Sequence, residues 1–115
     1  MINIQKFVKS VGFAFEGIFA LIKSENNARI HLIATFFVIG LGLLLNISQT
    51  DWAWILLAIV LVWICEAFNT ALEAMVDLVS PEIHPLAKKI KDLSAAAVLI
   101  AAGFAVFVGL KVFLF

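Results

Sequence analysis

Four polar side chains follow one another along an apolar stretch in the second half of the chain. They are Glu66, Asn69, Glu73 and Asp77. At about 100° per residue in an α-helix, these positions fall at about 0°, 300°, 340° and 20°, so all four leave the helix on one narrow face. An acidic side chain at the centre of a membrane span costs on the order of 3 kcal/mol. If this helix crosses a membrane, its carboxylates therefore need partners or a chemical task.

Further charged side chains flank two other apolar segments: Glu25, Arg29, Lys91 and Asp92. If the apolar helices pack antiparallel, these charges come to the same side as Glu73 and Asp77. Several carboxylates with one or two cations nearby are the groups that hold a Mg²⁺ ion bound to phosphates. Neither glycine-rich phosphate-binding pattern, G-x-x-x-x-G-K-[ST] or G-x-G-x-x-G, occurs in the sequence. Any nucleotide chemistry therefore uses a different scaffold.

Other reactive residue types are few. The two histidines, His31 and His84, are far apart in sequence, and His84 between Ile83 and Pro85 is predicted to lie in a loop or to cap a helix. A Ser-His-Asp hydrolase is therefore not indicated. Asp77 lies only three residues before Ser80, so a position outside the bilayer stays open for it as an alternative to a binding role.

The composition indicates an integral membrane protein. Hydrophobic residues make up 64% of the 115 residues and charged residues only 14%, which is too little polar surface to coat a soluble globule of this size. The net charge is zero and no run of Lys or Arg occurs, so a nucleic-acid partner is not expected. We expect one all-α membrane-embedded domain over residues 1–115.

Hydrophobic periodicity divides this domain into four helices. Residues 1–24 alternate apolar and charged positions at helical spacing, which predicts an amphipathic helix lying in the headgroup plane of the bilayer. Three predicted transmembrane helices follow at residues 30–47, 52–79 and 93–111. Asp51 is expected to cap the second of them. A polar connection over 81–92 is expected to separate the second from the third.

The cations indicate how these helices cross the bilayer. Seven of them lie before the first span or between the second and third: Lys6, Lys9, Lys23, Arg29, Lys88, Lys89 and Lys91. The turn between the first two spans holds none, whereas Lys111 near the end of the third span is an exception. The positive-inside rule therefore predicts that the N-terminus and the 81–92 connection are cytoplasmic.

At this point a family resemblance is visible. Residues 66–77, 84–92 and 95–100, together with Glu25-Asn-Asn-Ala-Arg29, closely resemble the small prokaryotic membrane lipid kinases, the diacylglycerol kinase and undecaprenol kinase family. The resemblance covers nearly the whole chain. It implies ATP-dependent transfer of a γ-phosphoryl group to a lipid hydroxyl at the cytoplasmic interface. It also implies a homotrimer in the plasma membrane of a prokaryote.

The resemblance also implies roles for individual residues. Glu66 is expected to be the general base that takes the proton of the lipid hydroxyl, and Asn69 to orient the base or the phosphate. Glu25 and Glu73 are expected to hold Mg²⁺. The resemblance assigns the remaining site residues to ATP: Lys91 neutralises phosphate charge, Asp77 and Asp92 contact the nucleotide or brace Lys91, and Arg29 pairs with the acidic group.

The acceptor lipid stays open between two alcohols. Residues 25–31 and 84–88 look more like the undecaprenol kinase branch than the enterobacterial diacylglycerol kinases. Undecaprenol is therefore the expected acceptor, with diacylglycerol as the alternative. Where some relatives carry arginine near the N-terminus, this chain has Lys6 and Lys9, so no nucleotide contact is assigned to that helix.

Two hypotheses from other functional classes use the same polar stripe. A small oligomer that conducts protons or cations would line its pore with these side chains, but it gives Glu25 and Lys91-Asp92 no role. A purely structural membrane subunit predicts that replacing Glu66 and Glu73 together with Leu is harmless or stabilising.

Overall fold

The structure, a computed structural model, describes all residues 1–115 and is entirely helical. Its four helices are α1 (Ile4–Ser24), α2 (Asn26–Leu45), α3 (Gln49–Val79) and α4 (Pro85–Phe113). The last three are long and apolar enough to cross a membrane. The prediction of an all-α protein with an N-terminal helix and three possible spans is therefore confirmed.

The helices α3 and α4 are longer than a bilayer requires. At about 1.5 Å per residue, the 31 residues of α3 extend about 46 Å, against a hydrocarbon thickness of about 30 Å. The start of α4 at Pro85 makes two thirds of the predicted 81–92 connection wrong, since residues 85–92 are the first two turns of a helix. Pro85 suits this first position because proline lacks the N–H that a helix start leaves unused.

Polar side chains cap the N-terminal ends of α3 and α4. Nδ1 of His84 accepts a hydrogen bond from the Leu86 N–H at 3.0 Å, which confirms the prediction of a capping role for His84. The predicted cap of α3 is wrong. Ser48 caps this helix instead, because its hydroxyl oxygen accepts from the Asp51 N–H at 3.1 Å. Asp51 lies inside the first turn, where a negative charge favourably meets the helix dipole.

The helix α3 is the centre of the packing. It packs along α4 over most of its length and also contacts α2 and α1. The apolar contact of α3 and α4 is built on Ile55, Ala58 and Val108, all at most 3% exposed. Only 12 of 115 residues are buried, so most apolar side chains face outward. Such a surface suits a protein whose surroundings are acyl chains.

At Gly42, the backbone of α2 is in close contact with the first turn of α3. A Cβ atom on this buried glycine would lie 2.8 Å from Cη2 and 3.0 Å from Cζ2 of Trp52, and 3.2 Å from Cδ1 of Ile47. The indole of Trp52 thus packs directly on the backbone of α2. A larger residue at position 42 would require the Trp52 ring to shift.

We predict that Gly42→Ala destabilises the protein by about 1–3 kcal/mol, because the methyl group must displace the Trp52 ring. Gly40→Ala is the matched control, since nothing lies within 4 Å of its Cβ position. The control should be neutral or slightly stabilising because alanine favours the helix. Thermal unfolding of both variants in the same detergent checks this, and equal midpoints would contradict the close contact.

Candidate active site

Glu66 is the largest fully buried side chain in the protein, at 1% exposure. It lies on α3 where this helix faces α2, and its Oε2 is 3.4 Å from Nε2 of His31. Neither carboxylate oxygen accepts a hydrogen bond, and Nε2 of His31 also has no hydrogen-bond partner. A buried polar atom without a partner is costly. This pair is therefore the most conspicuous polar feature inside the bundle.

A short chain of contacts holds His31 against α3. The indole Nε1–H of Trp63 donates to Oγ1 of Thr35 at 3.0 Å, and the Thr35 hydroxyl donates to the backbone carbonyl of His31 at 2.6 Å. The rings of Trp63 and His31 also meet edge to face, with centroids 6.3 Å apart. The sequence analysis gave none of these three residues a role at the site. The signal was the polar interruption of an apolar span by His31 and Thr35 on one face of the helix.

One turn beyond Glu66, the side chain of Asn69 is held at both ends of its amide. Its Oδ1 accepts from the Ser94 hydroxyl on α4 at 2.6 Å, and its Nδ2 donates to Oε1 of Glu73 at 3.2 Å. Asn69 and Ser94 are both 7% exposed. The amide orientation is thereby fixed between two helices. Ser94 was missed by sequence reasoning; with Ala101 and Val108, the other buried residues of α4, it forms a series spaced by seven residues.

Ion pairs join the ends of α3 and α4 nearer to solvent. Nζ of Lys91 lies 2.5 Å from Oδ1 of Asp77, which is the bracing arrangement considered for Asp77. Bracing of Lys91 by Asp92 is wrong, because Asp92 pairs with Lys88 one turn earlier on α4, also at 2.5 Å. These four residues line an open cleft of about 330 Å³ next to His84. A nucleotide contact for Asp92 stays a prediction.

The predicted pairing of Arg29 with the acidic group is also wrong. Its Nε donates to the backbone carbonyl of Ile22 at 3.0 Å, and its Nη2 donates to the carbonyl of Lys23. Both carbonyls belong to the last turn of α1, which ends at Ser24 and leaves them without helical partners. The guanidinium is drawn there because the C-terminus of a helix carries partial negative charge.

Glu25 and Glu73, the two predicted Mg²⁺ ligands, lie in different parts of the fold. Glu25 is half-buried at the junction of α1 and α2. Both glutamates adjoin one cleft, because its lining includes Ser24, next to Glu25, and Ala74, next to Glu73. Neither carboxylate pairs with a cation, and no group of three acidic, histidine or cysteine side chains forms a metal cage. Two uncompensated carboxylates suit Mg²⁺, which takes one or two protein ligands and completes its shell with phosphate oxygens and water.

Comparison with known proteins gives a consistent result. The family model described as prokaryotic diacylglycerol kinase matches residues 12–113. The chain is 37% identical to the undecaprenol kinase of Bacillus subtilis over 112 residues, which cover 97% of this chain and 91% of that protein. It is 42% identical to a diacylglycerol kinase of Synechocystis over 87% of this chain and 58% of that protein. It is 31% identical to the diacylglycerol kinase of Escherichia coli K12, over 84% and 79%.

We predict that Ser94→Ala destabilises the protein by about 1–3 kcal/mol, because Oδ1 of the buried Asn69 loses its donor. Ser10→Ala is the matched control. Its hydroxyl bonds only to the exposed backbone carbonyl of Lys6, so its loss should change stability by less than about 0.5 kcal/mol. Thermal unfolding in one detergent distinguishes the two, and identical midpoints would show that the bond to Asn69 does not matter.

Proposed function

The chain belongs to the prokaryotic diacylglycerol kinase family, and on this premise we propose that it transfers the γ-phosphoryl group of ATP to undecaprenol. The observation that carries the proposal is the buried carboxylate of Glu66, which accepts no hydrogen bond. It lies where the apolar part of α3 gives way to the polar stripe. A base at this depth suits an acceptor hydroxyl on a bilayer lipid, while ATP approaches from water. The acceptor is assigned from the match to the Bacillus subtilis enzyme along almost the full chain.

An apolar groove supports a lipid as the acceptor. It has a volume of about 200 Å³ and runs between α2 and α4, with α3 as its floor. Its lining is apolar along Val38, Ile55 and Ala105, and it becomes polar only at His31 and Thr35. An isoprenoid chain in the groove brings its terminal hydroxyl towards the polar end, beside the pair of His31 and Glu66. The match to diacylglycerol kinases keeps diacylglycerol as the second candidate acceptor.

The cleft between α3 and α4 supports binding of the phosphate donor. Lys91 is 39% exposed while it pairs with Asp77, so its ammonium group is both held in place and accessible to phosphate oxygens. Glu25 and Glu73 would hold Mg²⁺, which when bound neutralises charge on the phosphates of ATP. The donor site therefore combines the two helix ends with the junction of α1 and α2.

The reaction requires positioning more than covalent chemistry. Glu66 accepts the proton that leaves the lipid hydroxyl as its oxygen attacks the γ-phosphorus. The amide of Asn69, fixed by Ser94 and Glu73, is oriented to hold a phosphate oxygen or the base. Charge that spreads over the phosphoryl oxygens is stabilised by Lys91.

The membrane arrangement and assembly belong to the same proposal. The cations at the α1–α2 region and at the start of α4 support a cytoplasmic position for this end of the bundle in a bacterial plasma membrane. The helix α1 carries exposed apolar side chains such as Phe7, Phe15 and Phe19 beside lysines, which suits a position in the headgroup plane. Family membership supports a homotrimer, in which neighbouring subunits complete each site.

We predict that the purified protein in mixed micelles transfers ³²P from γ-labelled ATP to undecaprenol, with kcat/KM at least about tenfold above that for diacylglycerol. Both alcohols are compared at equal mole fraction in the same detergent. Transfer only to diacylglycerol would refute the acceptor but leave the kinase assignment standing. A folded protein that is inert toward both, and toward other lipid alcohols, would end the proposal.

Glu66→Gln should lower kcat by about 10²-fold or more, because the amide cannot accept the proton. The protein should remain folded, since the side-chain shape is kept. Glu16→Gln is the matched control: Glu16 is exposed on α1 and makes no ion pair, so its kcat should be unchanged. Initial rates at saturating ATP check both variants. Full activity of Glu66→Gln would remove Glu66 from the role of base.

A further inference from the structure

The base and the groove are not in direct contact. Glu66 is 1% exposed and is absent from the residues that line the apolar groove between α2 and α4. His31 retains 17% exposure and lines the polar end of that groove. Any hydroxyl that arrives along the groove therefore meets the imidazole before it can meet the carboxylate.

We propose that His31 is a second catalytic group, which carries the proton of the lipid hydroxyl to Glu66. This inference rests on the proposed lipid kinase function and adds a residue to its mechanism. Nε2 of His31 faces Oε2 of Glu66 at 3.4 Å. The other ring nitrogen, Nδ1, makes no hydrogen bond within the chain and can accept a proton. An imidazole with one nitrogen toward an acid and the other free is suited to relay a proton.

In this relay, each bond that forms is matched by one that breaks. The lipid O–H bond breaks and its proton goes to Nδ1 of His31, while the proton on Nε2 passes to the carboxylate of Glu66. The lipid oxygen forms its bond to the γ-phosphorus, and the bond from that phosphorus to the bridging oxygen of ATP breaks, so that ADP leaves with the electron pair. Glu66 ends protonated and His31 neutral. Both groups are restored when Glu66 returns its proton to Nε2 of His31 and Nδ1 releases its proton to a phosphate oxygen of the product or to water.

The surroundings of His31 keep the imidazole in this position. Trp63 meets the ring edge to face, and its indole N–H is engaged by Thr35, which in turn bonds to the His31 backbone. Glu66 is the one carboxylate in contact with His31, and His31 is the one basic side chain in contact with Glu66. No cation from α1 or α4 competes for the carboxylate. A proton transfer between Nε2 of His31 and Oε2 of Glu66 would thus explain why these two atoms face each other without other hydrogen-bond partners.

The test is a kinetic comparison of three variants in the full-length protein. His31→Gln keeps an amide able to bond to Glu66 but cannot accept and pass on a proton. Its kcat should fall by about 10²-fold or more, while KM for ATP stays within about twofold. The double variant His31→Gln/Glu66→Gln should be no slower than Glu66→Gln alone, because residues that act as one unit have non-additive effects. Asn27→Gln, exposed one turn earlier on α2, is the control and should retain wild-type kcat.

A spectroscopic measurement tests the pair without turnover. The chain contains only two histidines, so ¹⁵N-histidine labelling gives two sets of ring signals, and the spectrum of His84→Asn assigns them. Glu66→Gln should shift the His31 ring nitrogens and leave those of His84 in place. Unchanged His31 signals would overturn the pair.

The kinetic outcomes separate the two levels of the proposal. If the wild-type protein phosphorylates a lipid alcohol, Glu66→Gln is inactive and folded His31→Gln keeps full kcat, the relay is wrong and the kinase stands. Independent, multiplying effects of the two substitutions would likewise overturn the relay. If the wild-type protein phosphorylates no lipid alcohol, the proposed function itself fails.

Discussion

The rest of this structure is organised around one buried carboxylate. Glu66 is enclosed between α2 and α3 with 1% exposure and no hydrogen bond. Removing a carboxylate from water costs free energy, and a single imidazole 3.4 Å away without a hydrogen bond offsets little of that cost. An apolar side chain at this position would pack at lower cost. The presence of an acid here is therefore better accounted for by the proposed proton transfer than by a contribution to folding.

The polarity of the side chains on this face of α3 increases along the helix, from the apolar core to the exposed end. The apolar core at Ile55 and Ala58 leads to Glu66, then to Asn69 and to the exposed Asp77. Each polar step is matched by a different neighbour: α2 supplies His31, and α4 supplies Ser94 and Lys91. Because Glu66 and Asn69 are covered within a single chain, they do not present a free polar face for an ion pore. This arrangement favours the kinase over the conducting oligomer.

Sequence periodicity predicted the polar face of α3 and the three apolar helices, because both depend on local spacing and composition. Periodicity did not predict the partners of individual side chains, because these depend on which backbone and charged groups the fold leaves without other partners. The free carbonyls at the end of α1 draw Arg29 away from the carboxylates. Lys88, one turn before Asp92, takes the partner expected for Lys91. The preference for short polar residues at helix starts predicted Asp51 as the N-cap of α3, whereas Ser48 caps this helix in the structure.

The residues that sequence reasoning did not assign share a physical reason. His31, Trp63 and Ser94 lie in apolar or small-residue stretches, where a single polar group is ordinarily satisfied by its own helix. Only the packing of α2 and α4 on α3 shows that His31 and Ser94 meet the polar face of α3. The roles proposed for Glu25, Glu73 and Lys91 rest on the family resemblance, since nothing in their spacing alone distinguishes a phosphate site from solvated helix ends.

The central claim is that the pair of His31 and Glu66 is kept for phosphoryl transfer and not for stability. Its most direct test is the unfolding free energy and lipid phosphorylation of the double variant His31→Leu/Glu66→Leu in one detergent system. Our account predicts a protein at least as stable as the wild type that transfers no phosphate. Retained transfer of phosphate to a lipid alcohol by this variant would contradict it.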